Sequence, residues 1–196
     1  MVTYRNINKL ANYVKSRVDK RWKGVVISID GVNGSGKSYL SSFLSKKNGY
    51  SYIDIDGDYL IPNKGKYIDF IRYNELKGKI AALLTGDKTI VVDGICILKV
   101  LNKIGFNSDI KIYVKKLRLG RWRDGNLFDY RRNIADVLSE KRASLEEFEN
   151  VSACIEGRSP EINDSEEDMF HEIIRYHFEY EPDINADIVF ERGVNT

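Results

Sequence analysis

Gly31, Gly36, Lys37 and Ser38 stand at the fixed places of G-x-x-x-x-G-K-[ST]. Such a turn lets successive backbone N–H groups face a polyphosphate, while the ammonium adds a point charge and the hydroxyl a ligand for a hard cation. Gly34 and Ser35 keep the intervening turn small. Acidic residues further along could complete that chemistry. Asp56 and Asp58, in Asp56-Gly57-Asp58-Tyr59, follow an alternating apolar stretch, and Asp93 closes Thr89-Ile90-Val91-Val92-Asp93-Gly94. Carboxylates at the carboxyl ends of strands in an open α/β sheet border the ligand crevice, where one can meet magnesium and another a substrate hydroxyl. Turn chemistry alone also accounts for an Asp-Gly pair, so position is what marks Asp56 and Asp58. The densest basic run is Lys115, Lys116, Arg118, Arg121, Arg123, Arg131 and Arg132. Guanidinium groups in a mobile flap would suit the spread charge of phosphoryl oxygens; a solvated basic helix face is the plainer alternative.

These residues need a sheet to hold them. Val25 to Ile29 has the pattern of a buried strand, and Leu40, Phe43 and Leu44 give the segment after the turn a helical stripe. Strand, loop and helix thus come in the order that an anion site on a helix N-terminus requires. Ahead of them, Ile7 to Trp22 predicts an N-terminal helix within residues 1–23, its many lysines and arginines forming a solvated face. Tyr50 to Ile55 reads as a second strand, Pro62 to Lys66 as a loop, and Tyr67 to Leu84 as an amphipathic helix closed by Gly86. Strands follow at 89–93 and 109–114. Ser144-Leu145-Glu146-Glu147 has a capping-box pattern that predicts the start of a short helix. A polar loop is expected from Cys154 to Glu167, a helix from Ser165 to Pro182, and a fifth strand at Ala186 to Phe190. Trp122 reads as core or hinge packing, and His171 and His177 as packing or solvent residues. The succession predicts a three-layer α/β/α sandwich around a five-stranded parallel sheet, one domain over residues 1–196.

Composition narrows the partners. With 31 basic and 29 acidic residues the net charge is +2, so no global field draws the chain to nucleic acid or membrane, and any anion site must be local. Cys96 and Cys154 lack metal-ligand spacing, and two histidines are too few for an ordinary zinc set. Both cysteines read as reduced. With no long apolar run and no signal-peptide core in Met1-Val2-Thr3-Tyr4-Arg5, a cytoplasmic protein is expected.

From the first strand onward the chain resembles the uridine kinase-like branch of the P-loop nucleoside and small-metabolite kinases, which includes nicotinamide riboside, pantothenate and phosphoribulose kinases. Ile29-Asp30-Gly31-Val32-Asn33-Gly34-Ser35-Gly36-Lys37-Ser38 matches the phosphate loop, and Asp56-Gly57-Asp58-Tyr59 is similar to the acid-acid-aromatic turn. Val91-Val92-Asp93-Gly94-Ile95 resembles the strand that ends in an acid and glycine, although Asp93 stands where that family often has Glu. Arg118-Leu119-Gly120-Arg121-Trp122-Arg123-Asp124 resembles its arginine-rich lid, and Tyr180-Glu181-Pro182 through Ala186-Asp187-Ile188-Val189 its closing strand. The resemblance implies ATP or another NTP and Mg2+ as cofactors. It implies nucleotide contacts from Gly31, Asn33, Gly34, Ser35, Gly36, Lys37, Ser38 and Tyr39, and a metal shell from Ser38 and Asp93. Lys37, Asp56, Arg121 and Arg123 would be catalytic, with Asp56, Asp58 and Tyr59 on the acceptor and a lid near residues 116–135. Asp56 is preferred as the base and Asp58 is the alternative. No Asp-Arg dipeptide occurs, which sets thymidylate and deoxynucleoside kinases aside, and no N-K-x-D marks a GTPase. The reaction expected is phosphoryl transfer to a hydroxyl of a small metabolite such as uridine, cytidine or a related riboside. A phosphotransferase acting on a macromolecule or glycan precursor, and a nucleotide sensor without acceptor chemistry, are the competing readings. A nucleotide and a small-molecule acceptor are the expected partners, with homo-oligomerisation left open.

Overall fold

A computed structural model describes residues 1–21, 24–61, 67–160 and 164–193, with backbone alone at 164–168. Trp22, Lys23 and the expected loop from Pro62 to Lys66 lie outside the described residues. The chain opens with strand β1 (Val2–Tyr4), helix α1 (Ile7–Val18), β2 (Val26–Asp30), α2 (Lys37–Asn48), β3 (Ser51–Asp54) and a single helical turn, α3 (Ile55–Asp58). After a 3₁₀ turn (Tyr67–Phe70) come α4 (Tyr73–Thr85), β4 (Ile90–Asp93), α5 (Ile97–Lys103), β5 (Ile110–Arg118) and β6 (Arg121–Trp122). Two long helices, α6 (Ile134–Glu156) and α7 (Asp164–Tyr180), precede β7 (Ile188–Gly193).

The sheet runs β1-β7-β5-β2-β4-β3, all parallel, with β6 antiparallel on β5. Five parallel strands were expected, and the sheet has six plus the short β6. The extra parallel strand, β1, pairs Val2 with Ile188 and is too short to show a period in the sequence. Both faces are covered, which is why the central strands read as continuous apolar runs. Ile27, Ile29 and Val91 face α1 and α2, meeting Leu10, Val14, Leu40 and Leu44. Val26, Ile90 and Val92 turn to the other face, with Leu76 and Ile80 of α4, Val100 of α5 and Ile174 of α7.

Several expectations need correction. The N-terminal helix stops at Val18, and Arg21 instead holds Asp109 at 2.5 Å, whose other oxygen accepts from Val26 N–H at 2.9 Å. The helix expected from Tyr67 divides into the 3₁₀ turn and α4, because Ile71 bridges to Leu60. No helix starts at Ser144. That residue lies inside α6, whose cap is Asn133, its side chain accepting from Ala135 N–H at 2.8 Å. α6 also continues through Cys154 to Glu156, into the stretch expected to be loop, and residues 161–163 lie outside the described set.

The basic run is not a free flap. β5 extends to Arg118 and turns back through Leu119 and Gly120, both at positive φ (50° and 76°), the twist that suits a two-residue hairpin. Trp122 then packs edge-on to Tyr113 (5.9 Å) and stacks with Phe128, which stacks on His177 at 3.9 Å. Lys115 is spent within the body, 2.9 Å from Asp183 and 4.1 Å from the centre of the Trp122 ring. His177 is anchored on both nitrogens. Its Nδ1 lies 2.8 Å from the Ile173 carbonyl, which can only accept, so Nε2 accepts from the Tyr113 hydroxyl at 2.8 Å. Burial pushes His177 down to about 4, so it stays neutral. Replacing Tyr113 by Phe leaves that buried nitrogen unpaired and should cost about 1–3 kcal/mol in urea denaturation. A stability equal to that of the unaltered chain would show the bond to be dispensable.

Candidate active site

β2 is buried throughout and delivers the chain to the turn at 31–36 from the middle of the sheet. Gly31 sits at φ +146°, and a Cβ there would come within 2.8 Å of both Ser35 Oγ and the Val114 carbonyl. Only glycine passes this point. The turn closes with Ser35 N–H donating to the Val32 carbonyl at 3.1 Å. Gly36, at φ +104°, is the N-cap of α2 and offers no side-chain cap to the first N–H groups of that helix. Lys37 is 6% exposed and lies back along the turn, Nζ donating to the Val32 carbonyl at 3.3 Å.

Asp93 ends β4, paired in register with Ile29 on one side and Asp54 on the other. It is 1% exposed, and neither carboxylate oxygen has a hydrogen-bond partner. Burial, then repulsion from Asp54, pushes it up to about 6; the nearby Tyr52 and Ser38 hydroxyls and the Lys37 ammonium pull the other way without closing a bond on it. An orphaned carboxylate beside Ser38 fits a hard cation, since magnesium takes one or two carboxylates and completes its shell with phosphate and water oxygens. Among the described residues no group of three or more His, Cys, Asp or Glu side chains is placed to hold a metal by itself.

Asp56 and Asp58 separate clearly. A single helical turn, α3, follows the second strand, with Asp54 capping it by accepting from Gly57 N–H at 3.0 Å. One oxygen of Asp56 accepts from the Tyr67 hydroxyl and from Ile95 N–H at 3.4 Å, which aims the carboxylate at the segment after β4. Burial and the Asp56 charge together hold the Tyr67 phenol far above its ordinary range, so it remains a donor. Asp58 is exposed, and its backbone carbonyl accepts from the Arg72 guanidinium. Tyr59 packs half-buried against the larger core, with its carbonyl accepting from Arg72 N–H at 2.9 Å.

Of Arg121 and Arg123, one reaches the turn. Both are exposed, but Arg123 donates to the Asn33 carbonyl at 3.3 Å and holds Asp124 at 2.9 Å, whereas Arg121 stays on the hairpin. Beside them opens a cavity of about 310 Å³, walled by Val32, Arg123, Phe128, Phe170, Ile173 and Ile174.

Two residues escaped the sequence reading. Asp30, buried at the end of β2, accepts from Gly31 N–H at 2.7 Å and from the hydroxyl of Tyr176 on α7. The rule that singled out Asp93, an acid at a strand's carboxyl end, applies equally to it. Arg192, near the end of β7, lies against Gly36 and over the Tyr39 ring, 5.7 Å from its centre. Its place one residue before the last glycine of the strand was the sole available signal.

A parallel sheet wrapped by helices on both faces, with a glycine-rich turn feeding a helix at its centre, defines an α/β protein whose fold resembles the P-loop kinases. One solved structure of this fold, from Bacillus stearothermophilus and provisionally named a uridine kinase, is 14% identical. It aligns over 94% of this chain and 98% of its own, with a TM-score of 0.50. Another, from Silicibacter sp. TM1040 and provisionally named a fructose transport system kinase, is 15% identical over 94% and 98% of the two chains, with a TM-score of 0.47. No protein-family model and no curated protein matches the chain. No helix among the described residues is long and apolar enough to cross a membrane.

Burial pushes Asp30 up to about 6, against the opposing bonds from Tyr176 and Gly31. Its folded value thus exceeds the unfolded one. Between about pH 4 and 6 the folded chain holds the extra proton, so this group's contribution to stability falls as pH rises through that window and is level above it. Asp30→Asn should therefore gain stability relative to the unaltered chain from pH 4 to 6.5. A gap that stays constant in denaturation series across that range would show Asp30 to be unperturbed.

Proposed function

We propose that the chain is an ATP-dependent kinase that moves the γ-phosphoryl group to a hydroxyl of a small metabolite, with nucleosides or related ribosides as the acceptor class. The observation that carries this is Asp93: a buried carboxylate without a partner, at a strand end beside Ser38 and Lys37, where a nucleotide-bound cation would need it.

In this reading the N–H groups at the start of α2 and the Lys37 ammonium hold the polyphosphate, with Gly31, Asn33, Gly34 and Ser35 around it and Tyr39 touching the nucleotide beyond the phosphates. Ser38 and Asp93 would hold Mg2+, which supplies charge neutralisation on the phosphate oxygens. Asp56 takes the proton of the acceptor hydroxyl while its oxygen forms the new P–O bond and the bond to the β–γ bridging oxygen breaks, leaving ADP. The bonds from Tyr67 and Ile95 N–H, which fix that carboxylate in one orientation, support this role. Asp58 and Tyr59 border the acceptor side. Arg123 follows the charge on the moving group, with Arg121 a lesser contributor. The cavity of about 310 Å³ would take the body of the acceptor. Being near the lower end of the ~300–1,000 Å³ range for small-molecule pockets, it suits a compact metabolite better than a macromolecule.

ADP release measured across a panel of nucleosides and ribosides tests the activity. Lys37→Ala should abolish it with the fold intact, and full turnover in that variant would end the kinase reading. Asp56→Asn should retain ATP binding and lower kcat by roughly 10²–10⁴-fold, the usual worth of a positioned base, with Asp58→Asn milder. Equal effects would remove Asp56 from the base role. Arg123→Ala should depress kcat more than it weakens ATP binding, and more than Arg121→Ala does. ATP binding without release of ADP for any acceptor would favour a sensor.

A further inference from the structure

Arg192 reaches the turn from the far end of the sequence, and the manner of its docking is specific. β7 places it in register with Lys116 of β5. From there its side chain crosses to α2 and fills the space that Gly36 leaves by having no side chain. A Cβ at Gly36 would lie 3.0 Å from Arg192 Cδ and 3.2 Å from Cζ, with the guanidinium closer still. Gly36 therefore serves two ends, the left-handed cap of α2 and a berth for this arginine.

The guanidinium lies over the ring of Tyr39, which is 60% exposed in the first turn of α2. Among the described residues Arg192 forms no ion pair, although its neighbour Glu191 is held by Arg5 at 2.8 Å. A guanidinium without an ion pair, held between backbone and an aromatic ring that is itself largely exposed, makes with that ring a surface on which a further flat group can stack. Nucleic-acid bases stack on such planes and on aromatic rings whatever their hydrogen-bonding edges. The half-buried Arg192 and the exposed Tyr39 are thus seated together directly against the candidate phosphate turn.

The geometry points to Arg192 and Tyr39 as the platform for the nucleobase of the bound nucleotide, holding it by stacking while the turn holds the phosphates. This rests on the reading of that turn as a nucleotide site. Purines of either kind should therefore bind with similar strength as far as this platform decides it.

The test compares ADP with inorganic tripolyphosphate by calorimetry on the full chain. Arg192→Ala and Tyr39→Ala should each weaken ADP by about 5- to 150-fold, the range for loss of a stacking partner, while tripolyphosphate changes less than about twofold. Arg192→Lys, which keeps the charge and loses the plane, should resemble Arg192→Ala. Tyr39→Phe should resemble the unaltered chain. Equal weakening of both ligands would make Arg192 a phosphate contact and overturn the platform, as would undiminished ADP binding in Arg192→Ala. Tripolyphosphate bound as tightly as ADP by the unaltered chain would overturn the platform alone. Failure of both ligands to bind would overturn the nucleotide reading along with it.

Discussion

The backbone N–H groups at the start of α2 have no side-chain cap, and the surrounding structure is arranged to serve them. Helix ends are ordinarily capped by a serine, threonine or aspartate, and here the cap is a glycine in the left-handed region. Leaving donors open costs stability unless something else meets them, so the turn before them must be held without their help. That support comes from beneath, where the fully buried β2 fixes the approach and Asp30 ties Gly31 to Tyr176 on the opposite layer. Lys37 folds onto a carbonyl of the same turn, so its charge has a resting place inside the loop.

Burial is used unequally around this point. Asp30 and Asp93 end neighbouring strands and are both nearly inaccessible, yet one is fully bonded and the other has no bond at all. A satisfied buried carboxylate is part of the scaffold, whereas an unsatisfied one is a debt that a cation or donor must settle. The same contrast separates the arginines and lysines that looked alike in the sequence. Lys115 is bound into the interior by Asp183 and Trp122, and Arg123 reaches a carbonyl of the turn.

How much of this was legible in the sequence follows from the range of the interactions. The strand, turn and helix around Gly31 to Ser38 could be read directly because their signals are local: a run of apolar residues, glycines at fixed spacing, a helical stripe. Asp93 was legible for the same reason. β1 was not, since three residues carry no periodicity and its pairing partner lies at the other end of the chain. The hairpin at Leu119-Gly120 was hidden because leucine is an unusual residue at positive φ, so the basic run looked like a flap. The distinction between Asp56 and Asp58 rests on Tyr67 and Ile95, and no spacing rule relates those positions. The start of α6 was misplaced because Ser144-Leu145-Glu146-Glu147 imitates a cap within a helix already under way, whose own cap is Asn133.

The position of β7 between β1 and β5 has a consequence for the order in which the molecule can be assembled. β1 is made long before β7, and among the described strands it has none to lie beside until β7 has been made. The phosphate turn lies early in the sequence, but Arg192 arrives with β7 and only then docks against Gly36. Pairings of such wide sequence separation are slow to form, because the loop between them must close first. The glycine-rich turn is therefore made well before the site around it can be finished, and β7 both joins β1 to the sheet and completes the wall beside the turn.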